Sequence, residues 1–237
     1  MEAIKYPVIL LAILLIGMTN CKKEEQDPFE TDDSGMFTDA RDGNEYKWVR
    51  IGDQIWMAEN MKYFPSITPL HYFSKTDLCY YVLNYMGSDI NEAKQTSEYL
   101  DYGVLYNFIS AQNCCPEGWR LATDLDWEKL AEFISIDNGG YNKDDGNWEM
   151  VGGHLKSTYG WPGEGNGTDD YGFCALCAGE ILDSSEFLYL KTACYFWTYT
   201  AAGGDQAYFR FMGLGNSMLI HNTKLKSYGF SARCIKN

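Results

Sequence analysis

The chain has 237 residues, 16% of them aromatic, and a formal net charge of −14 at pH 7. A surface this acidic repels nucleic-acid phosphates and anionic lipid headgroups alike, which argues against nucleic-acid binding and against electrostatic attachment to a membrane. The part after residue 36, roughly 200 residues, is long enough for one well-buried domain.

In chain order, residues 1–20 stand apart from the fold. Lys5 supplies a positive flank, and Val8 to Ile16 is an unbroken apolar run too short to span a bilayer as a stable helix. Gly17-Met18-Thr19-Asn20 then leads into Cys21. The arrangement resembles a bacterial lipoprotein signal, which implies cleavage before Cys21 and lipidation of its thiol. A plain signal peptide and an uncleaved anchor are the alternatives. Removing residues 1–20 takes away Glu2 and Lys5, which cancel, so the acidity stays with the mature chain. Residues 21–35 (Lys22-Lys23-Glu24-Glu25 onward) are too charged and too poor in apolar groups to offset their conformational entropy, and read as a flexible acidic tether. Lysine followed by acids directly after the cysteine resembles the export signal of Bacteroidetes surface lipoproteins, and an ordinary solvated linker is the other reading.

The domain at 36–237 opens as a hairpin. Phe37-Thr38-Asp39 and Glu45 to Ile51 are strand-like around an Asp42-Gly43-Asn44 turn. Gln54 to Met61 follows with β character at its start, residues 64–100 carry no legible motif, and Leu105 to Ala111 reads as a short helix. Next comes Cys115-Pro116-Glu117-Gly118-Trp119-Arg120-Leu121-Ala122-Thr123-Asp124-Leu125-Asp126-Trp127, a turn leading into a capped helix over 123–135. Thr123 can cap it, with Asp126 three residues on as an Asp variant of the capping box, and Asp124, Asp126 and Glu128 suit the positive end of the dipole. Trp127, Leu130, Ala131 and Ile134 recur at helical spacing and form its buried face. Asp137 to Gly146 reads as a polar loop. Strands are expected at 195–200, 206–211, 217–220 and 229–235, so pattern alone gives an α+β domain with a strand-rich C-terminal half.

Five blocks carry a resemblance: Gly52-Asp53-Gln54-Ile55-Trp56-Met57-Ala58-Glu59-Asn60-Met61-Lys62-Tyr63, the Cys115 stretch, Gly152-Gly153-His154-Leu155-Lys156-Ser157-Thr158-Tyr159-Gly160-Trp161, Gly163-Glu164-Gly165-Asn166-Gly167-Thr168-Asp169-Asp170-Tyr171-Gly172-Phe173, and Tyr228-Gly229-Phe230-Ser231-Ala232-Arg233-Cys234. They resemble the Fibrobacter succinogenes major paralogous domain, a family of bacterial surface modules. The resemblance implies a C-type-lectin-like, loop-rich α+β fold akin to formylglycine-generating enzymes. Such a fold has two short helices and a small antiparallel sheet, with the last strand returning near the first. It also implies a disulfide between Cys115 and Cys234. Cys79, Cys114, Cys174, Cys177 and Cys194 then remain, an odd number that cannot all pair within one chain.

Few residues suggest catalysis. His71, His154 and His221 are scattered, and no nucleophile elbow or phosphate loop is present. Cys174-x-x-Cys177 follows Tyr171-Gly172-Phe173 in a strand or loop, not at a helix start, and lacks the second pair a zinc site needs. Asp169 and Asp170 in Asn166-Gly167-Thr168-Asp169-Asp170 suit a cation such as calcium, although an Asx-turn network would use the same residues. Tyr159, Trp161 and Tyr171 beside Asn166, Asp169 and Asp170 could stack on and hydrogen-bond a sugar, or fill a core. No motif requires a cofactor, and calcium is the one cation considered. The expectation is a non-catalytic binding or adhesion module for carbohydrate or surface protein, anchored through Cys21 in the outer membrane and facing the cell surface. The alternative is an enzyme related to formylglycine generation, using Cys174, Cys177 or Cys194.

Overall fold

The computed structural model describes residue 1 and residues 28–237. Cys21 and the signal expected around it fall outside the described residues, as does the tether before residue 28. The rest of the expected tether is corrected. Pro28–Thr31 forms a helical turn (α1) and Ser34–Thr38 is already strand β1. Phe29 is the reason: its ring lies 4.8 Å from Trp48 and 5.7 Å from Trp119, an apolar anchor inside an acidic run.

Strands β2 (Glu45–Ile51) and β3 (Gln54–Met57) complete the expected opening. Residues 64–100 hold β4 (Tyr80–Tyr81), α2 (Ile90–Ala93) and the start of α3 (Ser97–Tyr102). The helix expected at 105–111 divides. Leu105–Tyr106 is strand β5, and Asn107 caps α4 (Phe108–Gln112) by accepting from the Ser110 N–H at 3.1 Å. After β6 (Trp119–Leu121), α5 runs Asp124–Asn138, with the Thr123–Asp126 capping box formed in both directions. Trp127, Leu130, Ala131 and Ile134 are all fully buried, as their spacing predicts. The polar loop after α5 contains a small pair, β7 (Tyr141–Asn142) with β8 (Trp148–Glu149), followed by α6 (Val151–Leu155).

The last third carries β9 (Glu180–Ile181), β10 (Phe187–Leu188), β11 (Ala193–Gly203), β12 (Gln206–Gly213), β13 (Ile220–Leu225) and β14 (Cys234–Lys236). Two expected strands move. Residues 217–219 leave the sheet because Asn216 turns the chain onto the Met218 N–H and Leu219 bridges Trp148 instead. Residues 229–231 make single bridges to Ile181, Tyr106 and Phe196, crossing between sheets before β14 begins.

The fold is α+β, with six helices among the described residues in place of the two expected, one of them 15 residues long. The sheets are antiparallel: one five-stranded in the order β1-β2-β3-β14-β6, one three-stranded (β11-β12-β13) and three two-stranded. The last strand lies between β3 and β6, with Ile235 opposite both Trp56 and Arg120. That placement brings Cys234 to Cys115, and the disulfide is formed with the Cα atoms 5.9 Å apart. No helix among the described residues is long and apolar enough to cross a membrane.

Among the described residues, one buried acid stands without an ion pair. Glu180 on β9 is 1% exposed and its Oε2 has no hydrogen-bond partner. Burial raises its carboxyl above the ordinary value of 4.5, opposed by the Lys224 charge. The folded state therefore holds this proton more tightly than the unfolded chain does. The stability it lends is full below 4.5 and is lost as pH rises through the raised folded value. Glu180→Gln is accordingly expected to stabilise the domain at pH 7 and to lose that advantage at pH 4. Thermal melts of both proteins across that range check this, and an advantage unchanged by pH would contradict it.

Candidate functional site

A cleft of about 560 Å³ runs between the edge of the five-stranded sheet and the loop 159–176. β1 and β2 supply one wall with Met36 and Lys47, and the chain after β3 adds Glu59 and Lys62. Tyr159, Asp169 and Cys174 face them from the loop. Tyr159 is 59% exposed, so its ring is available.

The loop is held by a turn with two non-glycine residues in the left-handed region, Asp169 at φ 49° and Cys174 at φ 54°. Asp169 closes it: its Oδ1 accepts from the Cys174 N–H at 2.7 Å, and its carbonyl accepts from Gly172 at 3.0 Å. The carboxylate thus ties the loop together across five residues, a longer span than the two of an Asx-turn, and the same residue lines the cleft. Burial pushes the Asp169 carboxyl above the usual carboxylate range, against the Cys174 N–H and the Arg233 charge, which pull it down.

Arg233 lies behind this wall and is only 1% exposed. Its guanidinium donates to the Met57 carbonyl at 3.0 Å, the Phe173 carbonyl at 2.5 Å, the Cys174 carbonyl at 2.8 Å and Asn60 Oδ1 at 2.9 Å. Those acceptors are neutral. Burial pulls the guanidinium down to about 10, while Cys174, Cys194, Glu59 and Asp169 hold it up. Two of the acids that favour its charge thus line the cleft. Arg233 fixes both walls at once, since Met57 and Asn60 lie on one side and Phe173 and Cys174 on the other.

The six expected ligand residues do not form one site. Only Tyr159 and Asp169 share the cleft. Trp161 is 4% exposed, its indole N–H donating to the Ala175 carbonyl at 3.0 Å, so it belongs to the core. Asn166 accepts from the Trp161 N–H at 3.1 Å and borders a different cavity, beside Lys156. Asp170 and Tyr171 border a third groove with Phe133. There the Asp170 carboxylate meets His154 Nδ1 at 2.5 Å and Thr168 Oγ1 at 2.8 Å, which lower its pKa. Asp169 and Asp170 therefore serve different partners, the Cys174 N–H and the His154 and Thr168 side chains. Among the described residues, the one group of three metal-ligand side chains is Cys114 with the bonded Cys115 and Cys234.

The cysteines also separate. Cys174 borders the cleft, its Sγ 3.5 Å from the Tyr159 oxygen. Cys177 and Cys194 are buried, and burial pushes their thiols up to about 11 and about 12. Neither environment favours a thiolate.

A family model described as the Fibrobacter succinogenes major domain matches residues 49–236. The chain belongs to that family. No curated protein and no solved structure matches it. In this Fibrobacter succinogenes major domain the matched span contains the disulfide, α5, Arg233 and the loop wall of the cleft, while β1, most of β2 and Phe29 lie before it. Sequence reasoning missed Glu59, Asn60, Lys62 and Arg233 as parts of the site, although two of the quoted family blocks contain them. Lys47 carried no signal that could have marked it.

Proposed function

We propose that this Fibrobacter succinogenes major domain is a non-catalytic binding module, carried on the outer surface of the cell by a lipid on Cys21, and that its ligand is carbohydrate held in the Tyr159–Asp169 cleft. The observation that carries the reading is the pairing of an exposed tyrosine ring with the Asp169 carboxylate in one cleft, which Glu59 and Lys47 also border. A flat ring suits the apolar face of a sugar, and charged acceptors suit its hydroxyls. The return of β14 between β3 and β6 supports a C-type-lectin-like form of the fold. The enzymatic alternative has less support, because two of its three cysteines are buried with their thiol pKa values raised.

Glycan-array binding by the full chain in detergent tests the proposal, with Tyr159→Ala and Asp169→Asn beside it. A hydrogen bond to a charged group contributes about 1.5–3 kcal/mol, so Asp169→Asn is expected to lose about tenfold or more in affinity, and Tyr159→Ala to weaken binding by removing the stacking ring. Absence of any glycan binding overturns the carbohydrate reading, and undiminished binding by both variants overturns the cleft. Anchoring is a separate arm. Fatty-acid label should enter the wild type and be lost in Cys21→Ala, and an unlabelled wild type overturns the lipid anchor.

A further inference from the structure

Cys114 is a free thiol packed against a disulfide to which it does not belong. Its Sγ and those of Cys115 and Cys234 all lie within 4.8 Å of one another. It follows Asn113, the C-cap of α4, and is buried, with its thiol donating to the Ala111 carbonyl at 3.2 Å. We propose that these three residues form an internal thiol–disulfide exchange site, in which Cys114 and Cys115 compete for Cys234.

The exchange consumes no oxidant or reductant. Cys114 releases its proton and attacks Cys234 Sγ, a Cys114–Cys234 bond forms as the Cys115–Cys234 bond breaks, and the leaving electron pair stays on Cys115 Sγ, which takes up a proton. Each side of the exchange has one disulfide and one thiol. Attack on Cys115 instead would join sequence neighbours. No peptide bond described is cis, so their Cα atoms are about 3.8 Å apart, below the roughly 4.4 Å minimum usual for a disulfide. Cys234 is therefore the sulfur attacked.

Burial sets the rate. It pushes the Cys114 thiol up to about 12, although the Arg41 charge pulls the other way, and Arg41 Nη2 holds the Cys114 carbonyl at 2.7 Å. The attacking thiolate is scarce near neutrality and grows about tenfold with each pH unit below that value. Exchange is slow in the closed fold and quickens as pH rises or the segment opens. In both isomers β14 stays covalently joined to the turn after α4, so oxidation through either neighbouring cysteine preserves the tie.

The test uses the oxidised full chain, incubated without added thiol at pH 7 to 10, quenched in acid and alkylated after unfolding. Fragmentation then assigns the label to Cys114 or Cys115. Label is expected to appear on Cys115 at the expense of Cys114, about tenfold faster per pH unit and independent of protein concentration. In Cys114→Ser, label on Cys115 should vanish. The proposal is overturned if Cys114 alone is labelled at every pH, if the rate rises with concentration, or if Cys115 is still labelled in Cys114→Ser.

Discussion

Arg233→Met is expected to lower the unfolding free energy by about 3 kcal/mol or more, because it strips donors from the Met57, Phe173 and Cys174 carbonyls and from Asn60 Oδ1 together. A buried acceptor left unpaired costs about 1–3 kcal/mol. The guanidinium also lies 4.6 Å from the Phe173 ring centre and 5.4 Å from that of Phe196, contacts a thioether replaces only in part. One effect opposes the loss: methionine removes the cost of keeping a cation out of water. The acceptors outweigh it, since guanidinium is weakly hydrated while several peptide carbonyls would be stranded at once. Arg233→Lys should fall between the two, because a point-like ammonium cannot span four acceptors lying on both sides of the cleft. Urea unfolding measures the difference. A loss below about 1 kcal/mol for Arg233→Met would mean that the carbonyls find other donors, and the cleft walls would then not depend on this side chain.

What could be read from the sequence follows how local the physics is. Thr123 and Asp126 are three residues apart and cap the same helix, so α5 was legible from its own residues. The disulfide was legible only through the family resemblance, because nothing in the spacing of Cys115 and Cys234 tells which partner each takes. The loop acids show the limit. Asp169 and Asp170 are neighbours in the chain, yet the left-handed backbone at Asp169 sends one carboxylate to the Cys174 N–H and the other to His154. Trp161 had the composition of a sugar platform, but its indole N–H satisfies a core carbonyl. The opposite wall of the cleft, from Met36 to Lys62, lies about a hundred residues away along the chain. No pattern within the loop could announce it. Arg233 was visible as part of a motif, but its role depends on carbonyls contributed by two other segments. Phe29 hid in the same way, one aromatic residue in an acidic run whose anchoring depends on Trp48 and Trp119.

Trp127→Ala is expected to cost about 3–5 kcal/mol. Trp127 has no exposed surface, and its ring centre lies 5.0 Å from that of Trp56, 5.6 Å from Phe173 and 5.5 Å from Phe196. Those rings come from β3, from the cleft loop and from β11, so the cavity left by alanine would open where three segments meet. Collapse around it is restrained, since Arg233 binds the Phe173 carbonyl and β14 pins Trp56 through Ile235. That restraint places the cost toward the upper end of the range. Trp127→Phe should cost clearly less. It keeps a ring against the same neighbours and removes an indole N–H that has no hydrogen-bond partner among the described residues, so no acceptor there is stranded. Urea unfolding of the two variants separates packing from hydrogen bonding. A change below about 1 kcal/mol for Trp127→Ala would place the ring outside the packed core and undo the helix face that Leu130, Ala131 and Ile134 share with it. Combining Trp127→Ala with Phe173→Ala extends the test to the cleft. If the two rings support each other, the double variant loses less than the sum of the singles, whereas strict additivity would mean that α5 and the cleft wall are held independently.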